Sequence, residues 1–109
     1  MVITIFRSRL KPEGTQEYGE WAPRMSELAK TMPGYISHKV FIAEDGERLT
    51  LVEFENEEAQ RNWRTNMQHL EAQKKGRKDF YSEYKLQVCA VVREMSFNAE
   101  AKSGAPAPT

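Results

Sequence analysis

An α+β fold with one four-stranded antiparallel sheet is predicted by three features of this sequence. Strand-like and helix-like hydropathy patterns follow one another in the order β, α, β, β, α, β. Glu44-Asp45-Gly46-Glu47 joins the two middle strands, and Asp-Gly suits the positive backbone angles of a tight hairpin. Both helical segments carry apolar residues at helical spacing, so each needs a sheet face to lie on. That order is the split βαβ arrangement of ferredoxin-like folds, with both helices packed on one face of the sheet.

The first strand, Val2 to Leu10, is β-branched and aromatic and is ended by Lys11-Pro12. Alternation sends Val2, Thr4, Phe6, Ser8 and Leu10 one way and Ile3, Ile5, Arg7 and Arg9 the other. A helix opens at Pro12-Glu13-Gly14-Thr15 and runs to about Thr31. Tyr18, Trp21, Ala22, Met25, Leu28, Ala29 and Met32 form its stripe. Pro23 crowds the carbonyl of Gly19, so a bend or an irregular first turn is expected. Pro33-Gly34 stops this helix. Strands follow at Tyr35 to Ala43 and Arg48 to Glu55, and in the latter Thr50, Val52 and Phe54 share a face opposite Leu49, Leu51 and Glu53.

Asn56 caps the central helical stretch, Asn56 to Tyr84. Ala59, Trp63, Met67 and Leu70 make one stripe, and His69, Gln73, Arg77 and Phe80 a second. Thr65-Asn66 between them favours caps over helix interiors, so two helical pieces meet there, with Trp63 before the bend and His69 after it. A bent helix over a sheet leaves a gap, and gaps become pockets. Gly76 marks where the second piece loosens. A fourth strand is expected from Leu86 to Arg93, and a domain of residues 1–97 is followed by a disordered tail, 98–109, too poor in apolar residues to order itself.

Composition narrows the function. The 109 residues make one domain. Lys+Arg 16 and Asp+Glu 16 cancel, so no global field favours nucleic acid or an anionic membrane. The basic run Lys74, Lys75, Arg77 and Lys78 reads as a solvated helix face. The single Cys89 excludes an internal disulfide framework and, within an apolar strand, reads as a small hydrophobe. No apolar run is long enough for a membrane helix and no signal-peptide layout opens the chain, which makes a cytoplasmic protein the expectation. Apolar residues on both faces of the sheet point to a homodimer packed sheet against sheet, since leaving them wet forfeits roughly 1.5–3 kcal/mol each.

An ordered set of segments resembles the antibiotic biosynthesis monooxygenase family of dimeric α/β barrels. The carriers are Met32-Pro33-Gly34-Tyr35, Leu51-Val52-Glu53-Phe54, Glu58-Ala59 with Trp63, then His69, Gly76-Arg77, Phe80-Tyr81 and the strand around Val88. The resemblance, from Val2 to Phe97, implies a homodimer with a pocket between helices and sheet in each subunit. It also implies oxygenation without metal or flavin, the substrate itself reducing oxygen. In members that oxidise polycyclic phenols, the third strand offers an Asn and a Trp, where Thr50 and Phe54 stand here. In haem-degrading members a first-strand Asn, a helical Trp and an iron-binding His recur. Trp63 matches the Trp, but Ser8 and Gln73 occupy the other two positions, and His69 lies about one helical turn too early.

His69 is then the candidate general base, against the alternative of a satisfied structural imidazole. Tyr81 can orient a phenolic or carbonyl oxygen, or else bond only to backbone. Trp63 can stack on a flat ligand or serve as core. Phe54, Thr50, Ser8, Phe6, Met67 and Met25 are candidate pocket walls. Arg77 is a candidate for an anionic substituent, or for a carboxylate of the protein. His38 reads as an edge or dimer-face residue. No carboxylate pair, metal-spaced His/Cys cluster or phosphate-binding glycine loop is present, and no cofactor is expected. Three functions fit: a cofactor-independent monooxygenase acting on a small aromatic or quinol, an isomerase or lyase of a small ketone or lactone, and a non-enzymatic ligand-binding dimer.

Overall fold

A computed structural model describes residues 1–99; all but the first two residues of the expected tail lie outside them. Strand β1 (Val2–Leu10) leads through a 3-10 turn, Pro12–Gly14, into helix α1 (Thr15–Lys30). Strands β2 (Tyr35–Ile42) and β3 (Arg48–Phe54) form the hairpin. Helices α2 (Glu57–Thr65) and α3 (Met67–Lys75), then a π-helical turn at Gly76–Phe80, lead into strand β4 (Tyr81–Ala90). The sheet order is β2-β3-β1-β4, antiparallel throughout. This is the ferredoxin-like arrangement. Among the described residues no helix is long and apolar enough to cross a membrane.

Alternation decides the two faces. Cross-strand partners run Val2 with Phe54, Thr4 with Val52, Phe6 with Thr50 and Ser8 with Arg48 beneath the helices. Ala29, Val52, Phe54, Ala59 and Trp63 form the buried core there, with Met25, Leu28, Met32 and Tyr35 packed around it. The opposite face presents Ile3, Ile5, Leu49 and Leu51 half-buried and Phe41 exposed. Cys89 sits on that face opposite Ile3. One end of it is polar: Arg7 holds Glu47 through two bonds of 2.9 and 3.0 Å, and Arg9 pairs with Asp45 and Glu83.

Every stripe residue expected on α1 is at least half-buried, and Pro23 is accommodated on its exposed side. α1 runs unbroken past Pro23, and the 3-10 turn before it is built at Pro12–Gly14. Gly34 ends the connection with φ +84, and a Cβ there would stand 2.5 Å from the Cβ of Ala59. Only glycine fits so close to α2 in that conformation.

Two expectations are corrected. The fourth strand begins at Tyr81, not Leu86, and ends at Ala90. β1 offers pairing partners as far as Leu10, which faces Tyr81 across a register shift, so the ladder takes up residues whose local pattern reads as helix. The stripe Ala59, Trp63, Met67, Leu70 also does not continue across the bend. Asn66 takes ψ 133, which resets the helical phase and leaves Met67 81% exposed and Leu70 exposed. The inward positions of α3 pass to His69, Ala72 and Gln73.

Candidate functional site

The gap beneath the bend is a cavity of about 300 Å³ between the helices and the sheet. Its floor includes Thr4, Phe6, Arg48, Thr50 and Val52; α1 roofs it with Tyr18, Trp21, Ala22 and Met25. Gln60, Trp63, His69 and Gln73 close one side, and Phe80, Tyr81 and Tyr84 another. The volume is at the small end of the range for small-molecule sites.

His69 is placed by the helix break. Asn66 Oδ1 accepts from the backbone N–H groups of Gln68 (3.0 Å) and His69 (3.2 Å), so it starts α3 and fixes the backbone of His69 together. The imidazole stacks on the Trp63 indole, ring centres 3.9 Å apart and planes 15° from parallel. Its Nδ1 lies 3.0 Å from the Trp63 carbonyl oxygen, and the Gln73 amide nitrogen is 3.1 Å from the same ring atom. A carbonyl can only accept, so Nδ1 carries the proton and donates to it. The Gln73 amide then donates to the Arg64 carbonyl at 3.2 Å, and its approach to Nδ1 is a packing contact. Nε2 is left as the basic nitrogen, without a protein partner among the described residues. Burial lowers the His69 pKa from its ordinary value, and the Trp63 carbonyl opposes this only in part. At neutral pH the ring is a neutral base.

Tyr81 begins β4 against Gly76, where any Cβ would stand 2.7 Å from the Tyr81 ring. Phe6 meets Tyr81 edge to face (5.3 Å) and lies tilted against Tyr84 (5.4 Å), while Tyr18 closes on Tyr81 and Phe80. Burial, reinforced by the neighbouring Tyr18, raises the Tyr81 pKa. Its hydroxyl therefore stays protonated and can act as a donor.

Of the residues singled out in the sequence, the cavity brings together His69, Tyr81, Trp63, Thr50 and Phe6, with Met25. Four others lie elsewhere. Phe54 is wholly buried in the core under α2. Met67 is turned outward by the phase change at Asn66. Arg77, in the π-helical turn, is exposed, and the nearby ion pairs with Glu17 and Asp79 are made by Lys75 instead. Ser8 is buried beside a separate cleft of about 240 Å³ with Arg7, Glu47 and Tyr84. His38 faces the cavity, bonded to the Tyr35 hydroxyl at 2.5 Å, so it lies on the helix side of the sheet and not on its outer face.

Sequence reasoning passed over Thr4, Tyr18, Arg48 and Gln60 as site residues. The signal was a polar residue at an inward position. Thr4 and Arg48 share the parity of Phe6 and of Thr50, and Gln60 adjoins Ala59 one turn before Trp63. Gln60 is 2% exposed, and the buried Thr4 Oγ1 and Arg48 Nε lack hydrogen-bond partners among the described residues. Among the described residues no group of three or more His, Cys, Asp or Glu side chains is placed to hold a metal ion.

Comparison with known proteins agrees with this architecture. The family model described as antibiotic biosynthesis monooxygenase matches residues 1–75. An uncharacterized protein of Bacillus subtilis (strain 168), YqjZ, is 33% identical over 90 residues, covering 83% of this chain and 79% of that one. The Rv0793 structure from Mycobacterium tuberculosis superposes with a TM-score of 0.77 at 18% identity, over 87% of this chain and 98% of that one. SnoaB of Streptomyces nogalater, a cofactor-independent oxygenase, superposes with a TM-score of 0.72 at 13% identity, over 85% of this chain and 94% of that one. At such identities the two structures speak for the fold alone, while the family match and the Bacillus relative extend to the sequence itself: the chain belongs to the antibiotic biosynthesis monooxygenase family.

Proposed function

We propose that the protein is a cofactor-independent monooxygenase that oxidises a small aromatic or quinol-type molecule in the cavity between helices and sheet. The observation that carries this reading is His69: a neutral imidazole, its Nδ1 committed to the Trp63 carbonyl, on the wall of a largely apolar cavity. Nε2 takes the acidic proton of the bound phenol or quinol. The resulting anion is electron-rich enough to reduce oxygen directly. A ring carbon bearing hydrogen becomes a carbonyl; one atom of O2 enters it, and the other leaves as water with the two hydrogens that the substrate loses. Tyr81, held protonated, donates to the oxygen that carries the developing charge. Phe6, Tyr18 and Trp21 keep the reacting ring away from bulk water.

The same reading makes the working unit a homodimer. The half-buried Ile3, Ile5, Leu49 and Leu51 with exposed Phe41 form an apolar sheet face that no element of the described chain covers. A second sheet packed on it would bury that face.

An oxygen electrode tests the reaction. Wild-type protein should consume O2 with a naphthalenediol, and His69→Ala should lower turnover by about 10²- to 10⁴-fold, the usual worth of general acid–base catalysis. Product formation without oxygen uptake would favour an isomerase or lyase. Binding with neither would leave a ligand-binding dimer.

A further inference from the structure

The charge balance of the cavity is unlike that of the whole chain. Lys+Arg and Asp+Glu are equal overall, yet among the described residues no Asp or Glu lines the cavity, while Arg48 and the rim residue Arg64 do. Arg7 and Arg9, on the outer face of the sheet, each have a carboxylate partner. Arg48, on the inner face, has none among the described residues: its guanidinium lies over the Tyr18 ring at 5.2 Å, and its Nε is buried without an acceptor there. A buried donor left unpaired costs about 1–3 kcal/mol, more when charged, so its retention calls for an acceptor that arrives from outside.

The other buried unpaired atom, Thr4 Oγ1, lies away from it. Register puts Arg48 opposite Ser8, and Thr4 is four residues further along β1, about 13 Å away at the usual strand rise. Thr4 Oγ1 is buried without a partner among the described residues, and the nearly buried Gln60 lines the same cavity. Between these ends the sheet floor is Phe6, Thr50 and Val52. The cavity thus has a cationic end, an apolar middle and a neutral polar wall.

We infer that the ligand of this cavity is a hydroxyaromatic carboxylate, its carboxylate held by Arg48 and its ring oxygen met by the neutral polar groups, with Arg48 the residue that sets the preference for an acid. The inference rests on the proposed site and narrows its substrate class. A planar carboxylate matches the fork of one guanidinium. A phosphate dianion would want more cations or a row of backbone N–H groups, and paired strands offer no such row.

The test is anaerobic binding, read by quenching of Trp21 and Trp63, with 6-hydroxy-2-naphthoate, whose two oxygen groups lie at opposite ends of the ring system, and 2-naphthol as probes. Wild type should bind the acid at least tenfold more tightly. Arg48→Gln should weaken the acid roughly 10- to 100-fold, the worth of a charged hydrogen bond, and leave 2-naphthol unchanged. Arg48→Lys should recover part of the loss. The wild-type comparison needs no variant, so the inference can fail or stand on it even where Arg48→Gln folds poorly. Equal affinity of wild type for the two probes, tighter binding of 2-naphthol, binding of neither, or an Arg48→Gln protein that keeps the preference would each overturn the inference. Because no turnover is measured, acid-selective binding without oxygen uptake would leave this inference standing and remove the monooxygenase reading.

Discussion

Truncating Trp63 to alanine separates the two roles that an aromatic residue at the edge of a cavity can have. The indole is 8% exposed, packed into the cluster of Ala29, Val52, Phe54 and Ala59, and covered on one face by the His69 imidazole. Nearly the whole side chain is therefore core, and its loss should cost about 3–5 kcal/mol, counting the cavity left behind. A domain of this kind holds only about 5–15 kcal/mol in total, so the variant should be markedly less stable than wild type. With a urea slope of about 2 kcal/mol/M, a loss near 4 kcal/mol lowers the midpoint by about 2 M. His69→Ala removes the stack and one hydrogen bond but keeps the Trp63 carbonyl, and should cost only about 1–2 kcal/mol. Urea titration followed by circular dichroism, with Trp21 fluorescence as a second probe, measures both. A Trp63→Ala midpoint within about 0.5 M of wild type, or a His69→Ala loss larger than that of Trp63→Ala, would refute the assignment of the indole to the core.

Four further outcomes are expected. The acid limb of kcat/KM should fall at a pH below the ordinary imidazole value of 6.5, because burial lowers the His69 pKa and the base works neutral; a limb at or above that value would count against His69 as the base. The sign for stability is the same: the unfolded chain takes up this proton first, so the contribution of neutral His69 is complete above 6.5 and is lost as pH falls toward the lower folded value, a dependence that His69→Ala should flatten. Ile5→Asp, on the uncovered sheet face, should convert a homodimer into monomer or aggregate by light scattering; a wild type that is itself a stable monomer would remove the premise. Gly34→Ala should destabilise by more than about 1–2 kcal/mol, the cost of the left-handed backbone alone, because the added methyl also meets Ala59; a thermal melt equal to wild type would show that the connection relaxes freely.

Much of the fold is legible in single residues. The parity of Val2, Thr4, Phe6 and Ser8 against Ile3 and Ile5 decides which side of β1 faces the helices, because successive side chains must alternate. Asp45-Gly46 makes the hairpin, and Gly46 takes φ +90 there. Thr65-Asn66 breaks the second helical stretch, since the Asn66 side chain caps the next helix, and so the pair Trp63 and His69 was visible as two residues flanking one bend. Each of these is a local preference acting within a few residues.

What the tertiary structure decided involves groups distant in the chain or a phase that local pattern cannot carry. Stripe periodicity kept Met67 in line with Trp63, but one extended residue at Asn66 rotates everything after it, and the sequence does not state the angle. Tyr81 reads as the end of a helix until β1 supplies the hydrogen-bonding edge that makes it a strand. Arg48 and Thr4 look like ordinary strand residues by composition. Only the packing of the helices over the sheet removes water from Arg48 Nε and Thr4 Oγ1 without providing partners among the described residues, and a site for a polar ligand is defined by that lack of pairing more than by the residue types themselves.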